Sequence, residues 1–158
     1  FRTPSDPSSG TGQFATRWQG NDSVFALVDW LTRQLVADSS AGLVARVFAG
    51  LILLAVVAVV LRSRVSPARA TRILIWSVLL LSPQVHPWYL GWLLPVELAA
   101  GGRAALVWSA AVLCAYAPID AWAERGVWEM PLWMQISEYL VVAIALFFDF
   151  RSDSEYFS

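Results

Sequence analysis

Residues 42–61, GLVARVFAGLILLAVVAVVL, form a nearly unbroken apolar run. Its length matches the roughly 20 residues that a helix needs to cross the hydrocarbon of a bilayer. Arg46 is the single charge in it, close enough to one end for its guanidinium to snorkel to the interface. Inside lipid a backbone must satisfy its own hydrogen bonds, so this run forces helix locally and favours helix in whatever packs beside it. The remaining composition agrees, because 58% hydrophobic and 15% charged residues are too apolar and too weakly charged for an ordinary soluble domain.

Further apolar runs follow. TRILIWSVLLL (71–81) stops at Ser82-Pro83, WYLGWLLPVELAA resumes at Trp88, and AALVWSAAVLCAYAPI (104–119) and WMQISEYLVVAIALFF (133–148) complete the set. Together they predict an all-α polytopic transmembrane helix bundle of about five spans, some short or tilted. Every basic residue is arginine. If the chain crosses five times, Arg62, Arg64, Arg69, Arg72, Arg103 and Arg151 fall on one side, next to the span ends. Arg2, Arg17, Arg33 and Arg125 are spread through longer segments on the other side, among Asp22, Asp29, Asp120, Glu124 and Glu129. The positive-inside rule then makes the first side cytoplasmic. Trp122, Trp128 and Trp133 suit a headgroup-level belt on the outer side.

The N-terminal residues divide in two. Positions 1–13 are rich in Pro, Ser, Gly and Thr and read as a flexible lead-in. Beyond them Val24, Leu27, Val28, Leu31 and Leu35 recur at helical spacing, with Asp29 and Arg33 four apart on another face. Asn21, Asp22 or Ser23 offers an N-cap to that amphipathic helix, which is expected at the outer membrane surface or packed on the bundle. The expected organisation is a lead-in at 1–13, an external amphipathic segment at 14–40, transmembrane helices over 41–150 and a cytoplasmic tail at 151–158. Phe1 opens the sequence where a methionine would stand, so a piece of a longer protein is expected. A near-zero net charge of −1 gives no nucleic-acid footprint. Cys114, the single cysteine, reads as a small core hydrophobe.

Two stretches carry the chemistry. RWQGNDSVFAL (17–27) and LSPQVHPWYLGWLLP (81–95) together resemble the C-terminal half of bacterial polytopic glycosyltransferases of the GT-C type, the mannosyltransferase-like enzymes of glycosyltransferase family 87. The resemblance covers roughly residues 14–150, resting on an aromatic-Asn-Ser segment like Trp18 to Ser23 and on a Ser-Pro-x-x-His-Pro-Trp-Tyr turn. It implies a hexose passed from a polyprenyl-phosphate donor to a glycan or glycolipid acceptor at the extracytoplasmic face of a bacterial plasma membrane. In that family the base is an acidic residue in a first external loop that these residues do not include. No catalytic residue is therefore assigned here, and the chain alone is expected to be inactive.

The substrate-binding candidates are His86, Gln84, Arg17, Asn21, Trp18 and Tyr89. His86 would hydrogen-bond a phosphate or sugar oxygen and, as imidazolium, offset leaving-group charge. Arg17 offers a guanidinium fork to phosphate. Trp88 and Tyr89 read either as interface anchors or as sugar-stacking platforms. Glu97 is expected near the cytoplasmic interface, reaching water or Arg103, and Glu138 either faces the cavity or stays solvated at the headgroups. No cofactor motif is present, and the sequence does not indicate a divalent cation. Two other readings stay open: a non-catalytic membrane scaffold, and a small transporter, which the wholly apolar stretch from Val47 to Leu61 disfavours.

Overall fold

The computed structural model describes residues 21–119, 123–124 and 130–155, and every regular element among them is helical. The elements are α1 (Val24–Leu35), α2 (Asp38–Arg62), α3 (Pro67–Leu80), a 3-10 turn (Pro87–Tyr89), α4 (Leu90–Ala99), α5 (Ala104–Ala111) with a 3-10 continuation (Val112–Tyr116), and α6 (Leu132–Glu155). Among the described residues two helices are long and apolar enough to cross a membrane: α2, with 25 residues, and the 18-residue stretch Leu132–Asp149 of α6. At 14, 10 and 8 residues, α3, α4 and α5 are each shorter than a crossing requires. Pro118 has no N–H to continue the i→i−4 ladder, and the α5 run ends in a 3-10 turn with Ala117 N–H on Cys114 O; Cys114 is exposed there and is not the core residue expected. At the other end of the chain α6 runs on through Arg151 to Glu155, into the segment expected to be a tail.

Successive helices pack on one another, and α1 lies against α2 while α5 lies against α6. On α2 the buried positions Ala41, Ala45 and Ala49 recur every four residues, so a smooth stripe admits Phe25 of α1. The large side chains of α2, among them Leu43, Phe48, Leu54 and Val59, are exposed around it, as suits a helix solvated by lipid. The apolar stripe read from the sequence of α1 is not its bundle-facing side. Phe25, Asp29 and Thr32 are buried, whereas Leu27, Leu31 and Leu35 point outward. A helix with an exposed apolar stripe suits the membrane-surface placement. Asp29 and Arg33 do pair, at 2.8 Å, one turn apart.

The main core is built on a pair of indoles. Trp76 of α3 and Trp108 of α5 stack with centroids 5.2 Å apart and planes 13° from parallel. Their N–H groups serve two different buried glutamates: Trp76 Nε1 donates to Glu97 Oε2 (3.0 Å) and Trp108 Nε1 to Glu138 Oε1 (3.0 Å). Glu97 corrects its expectation, because it is 0% exposed and its partner is neither water nor Arg103. Arg72 reaches across from α3 and donates from Nε to Oε2 (2.8 Å) and from Nη2 to Oε1 (2.9 Å). Arg72 also lies 3.8 Å from Asp149 of α6. Asp149 in turn accepts from the backbone N–H groups of Arg103 (2.8 Å) and Ala104 (2.9 Å), satisfying the free amides at the start of α5. The α4–α5 turn allows this closeness. Gly101 adopts φ +77°, and a Cβ on Gly102 would stand 2.7 Å from Glu97 Cδ.

Candidate functional site

The Arg72 cluster closes one end of the bundle, and the SPQVHPWY turn forms the other. Ser82 holds the turn locally, its hydroxyl donating to Gln84 O (2.6 Å) and accepting from Gln84 N–H (3.3 Å). His86 has the extended backbone (φ −100°, ψ 150°) that a residue before proline favours, and Pro87 opens the 3-10 turn that leads into α4. The imidazole stacks on Trp88, centroids 4.2 Å apart and planes 12° from parallel, and meets the edge of Tyr89 at 5.5 Å. Tyr89 in turn stacks on Trp92 at 5.4 Å. Partial burial lowers the His86 pKa from its ordinary value, which favours the neutral ring. In that form it donates one hydrogen bond and does not neutralise phosphate charge.

The positive charge near this turn comes from Arg46 instead. A groove of about 420 Å³ runs between α2, α3 and the turn. Arg46, Ser82, Gln84 and Tyr89 line it beside the turn, and Gly50, Leu53, Val78 and Trp92 are among its apolar walls further along. Arg46 donates from Nη1 to Gly42 O (2.8 Å), one turn back toward the start of α2, and its guanidinium lies 5.8 Å from the Phe25 ring centroid. The Gln84 Oε1 atom is buried without a hydrogen-bond partner. Gly50 has no heavy atom within 4 Å of where its Cβ would stand, so the groove stays open there.

Compared with protein-family models, curated proteins and solved structures, the chain matches none.

The candidates from the sequence are therefore distributed as follows. Gln84 and Tyr89 line the groove. His86 sits in the aromatic stack beside it and is not among the groove-lining residues. Arg17 and Trp18 lie outside the described residues, as do Trp122 and Trp128 of the expected belt, while Trp133 is exposed. Asn21 does come to the His86 turn, but as part of the interior. It takes a left-handed backbone (φ 53°), which asparagine tolerates. Its Nδ2 donates to Val85 O (3.3 Å) and Glu138 Oε1 (3.2 Å), and its carbonyl accepts from the Tyr139 hydroxyl (2.6 Å).

The expected N-cap is not made by a side chain. Ser23 occupies the cap position, yet its hydroxyl donates to Leu80 O (3.2 Å), and Asp22 accepts from Gln135 through both its backbone carbonyl and Oδ1. Glu138 is neither solvated nor on the groove; it is 2% exposed inside the bundle. Arg46 is the residue that sequence reasoning undervalued. An arginine one turn inside an otherwise apolar span, four residues before a glycine, was the available signal.

Proposed function

We propose that this chain is the lipid-binding part of a GT-C type membrane glycosyltransferase, holding the donor phosphate at the outer end of a five-span bundle while a polyprenyl chain lies along its apolar wall. The observation that carries this reading is the groove itself. One stretch is lined by Arg46, Gln84 and Tyr89, beside Ser82 whose hydroxyl proton is held by Gln84 O, and the rest is lined by apolar side chains. A phosphate on a long hydrocarbon has the same division. His86, held beside the groove by Trp88 and Tyr89, supplies a neutral N–H for the sugar or phosphate oxygens, and the acidic base comes from a segment outside this sequence.

The test is capture of polyprenyl monophosphate by the chain in lipid nanodiscs, with uncharged polyprenol as control. Retention of the phosphate at least tenfold over the alcohol is expected, reduced by Arg46→Leu and by filling the groove with Gly50→Leu. Equal retention of the two lipids overturns the reading. A non-catalytic membrane scaffold is the second reading, and it is supported by one observation: Asn21, Asp22 and Ser23 all spend their side chains on holding the bundle together.

A further inference from the structure

The two buried glutamates are served differently, and the difference bears on a proton. Glu97 receives both arms of the Arg72 guanidinium and the Trp76 N–H, so its negative charge is matched at both oxygens. Glu138 has no ion-pair partner among the described residues. Its Oε1 accepts from Trp108 and from Asn21, and its Oε2 has no hydrogen-bond partner. Asn21 mirrors it. Nδ2 spends both hydrogens, on Glu138 and on Val85 O, and Oδ1 has no partner. Both residues are more than nine-tenths buried.

Two planar forks are thus joined by one arm each, and the other arm of each ends in a bare acceptor oxygen. A carboxylate there would be a buried charge with no cation and one bare oxygen, beside a second unsatisfied oxygen, and each such group costs free energy. One proton removes both defects. We infer that Glu138 is a neutral carboxylic acid whose Oε2 proton is donated to Asn21 Oδ1, closing a cyclic acid–amide pair that latches residues 21–23 to α6.

The surrounding groups agree with an uncharged pair. The 21–23 segment brings Asp22, whose Oδ1 is occupied by Gln135, and α6 itself brings Tyr139, whose hydroxyl is spent on Asn21 O. α5 presents Trp108, and the turn presents Val85, with His86 next in sequence and stacked on Trp88. None of these is a cation paired with Glu138.

The experiment is infrared spectroscopy of the full chain in nanodiscs near neutral pH, with glutamate carboxyl carbons labelled with carbon-13. The expected spectrum contains a label-sensitive protonated-acid carbonyl band that disappears in Glu138→Gln and shifts in Asn21→Ala as its acceptor is lost. Only carboxylate bands, or an acid band indifferent to both substitutions, would overturn the inference. Thermal unfolding gives an independent reading. Glu138→Gln, whose amide N–H replaces the acid O–H, is expected to keep the parent midpoint, and Glu138→Ala to lower it. If Gln lowers the midpoint as far as Ala, the side chain is needed as an anion and the latch is refuted. Should Glu138→Gln not assemble, the labelled parent and Asn21→Ala decide the matter by their acid band alone.

Discussion

Replacing Arg72 with methionine keeps most of the side-chain volume in α3 and removes the one group that makes Glu97 tolerable where it lies. The carboxylate would retain the Trp76 N–H but lose both guanidinium bonds, at 2.8 and 2.9 Å, in a site with no exposure at all. Breaking a buried ion pair from one side costs about 3–5 kcal/mol, since it leaves an unmatched charge behind. Asp149 would also lose its neighbouring cation at 3.8 Å, although its two backbone donors remain. An unfolding titration in mixed micelles, followed through tryptophan fluorescence, should therefore show a loss of about 3–5 kcal/mol. The companion variant Arg72→Met/Glu97→Gln removes both charges and leaves an amide oxygen for Trp76, so it should recover most of the loss. A single variant within about 1 kcal/mol of the parent would refute the reasoning, because surface pairs carry that little and buried ones do not. So would a double variant as unstable as the single one, which would locate the defect in packing and not in charge.

Gly102→Ala places a Cβ 2.7 Å from Glu97 Cδ and should cost about 1–3 kcal/mol by overpacking against a carboxylate fixed by Arg72. Gly101→Ala has open space and is strained only by φ +77°, so the same titration should show a smaller loss of about 1 kcal/mol. Burial lowers the His86 pKa in the folded chain, so the unfolded chain binds that proton first as the solution is acidified. The His86 contribution to stability is therefore complete above the range of free histidine and falls as pH drops through it. His86→Phe should flatten that part of the stability–pH curve, and an unchanged slope would assign it to other groups.

The helices were legible in the sequence because long apolar runs bounded by proline leave the backbone few alternatives. The run at 42–61 and the proline-bounded turn at 82–87 mark an element and a break by backbone chemistry alone. The helical spacing of the α1 stripe is plain in the sequence, but a period says which residues share a face and not what that face meets. In water the apolar face would turn inward; here Phe25 packs on Ala45 and Ala49 of α2, Thr32 is buried, and Leu27 and Leu31 face out. The SPQVHPWY turn was likewise visible, and Gln84 and Tyr89 do line a cavity. Its cation was not, because Arg46 lies 38 residues before Gln84 and only the α2–α3 packing brings the two to one groove.

The same kind of long-range pairing changes the meaning of the arginines used to orient the chain. Arg72 looks like an interfacial charge after the first span, yet 25 residues later Glu97 takes its guanidinium out of solvent. A buried, neutralised pair exerts little pull on the anionic side of a membrane, so Arg72 drops out of the positive-inside count expected from the sequence. That expectation then rests on Arg62, Arg64 and Arg69 between α2 and the first turn of α3, all three exposed, with Arg103 and Arg151. What Arg72 decides instead is the geometry of the closed end. By holding Glu97 and standing beside Asp149, it fixes α4 and α6 relative to α3, and the Trp76–Trp108 stack carries that fixed spacing through the core to Glu138 and Asn21, behind the turn that bears His86.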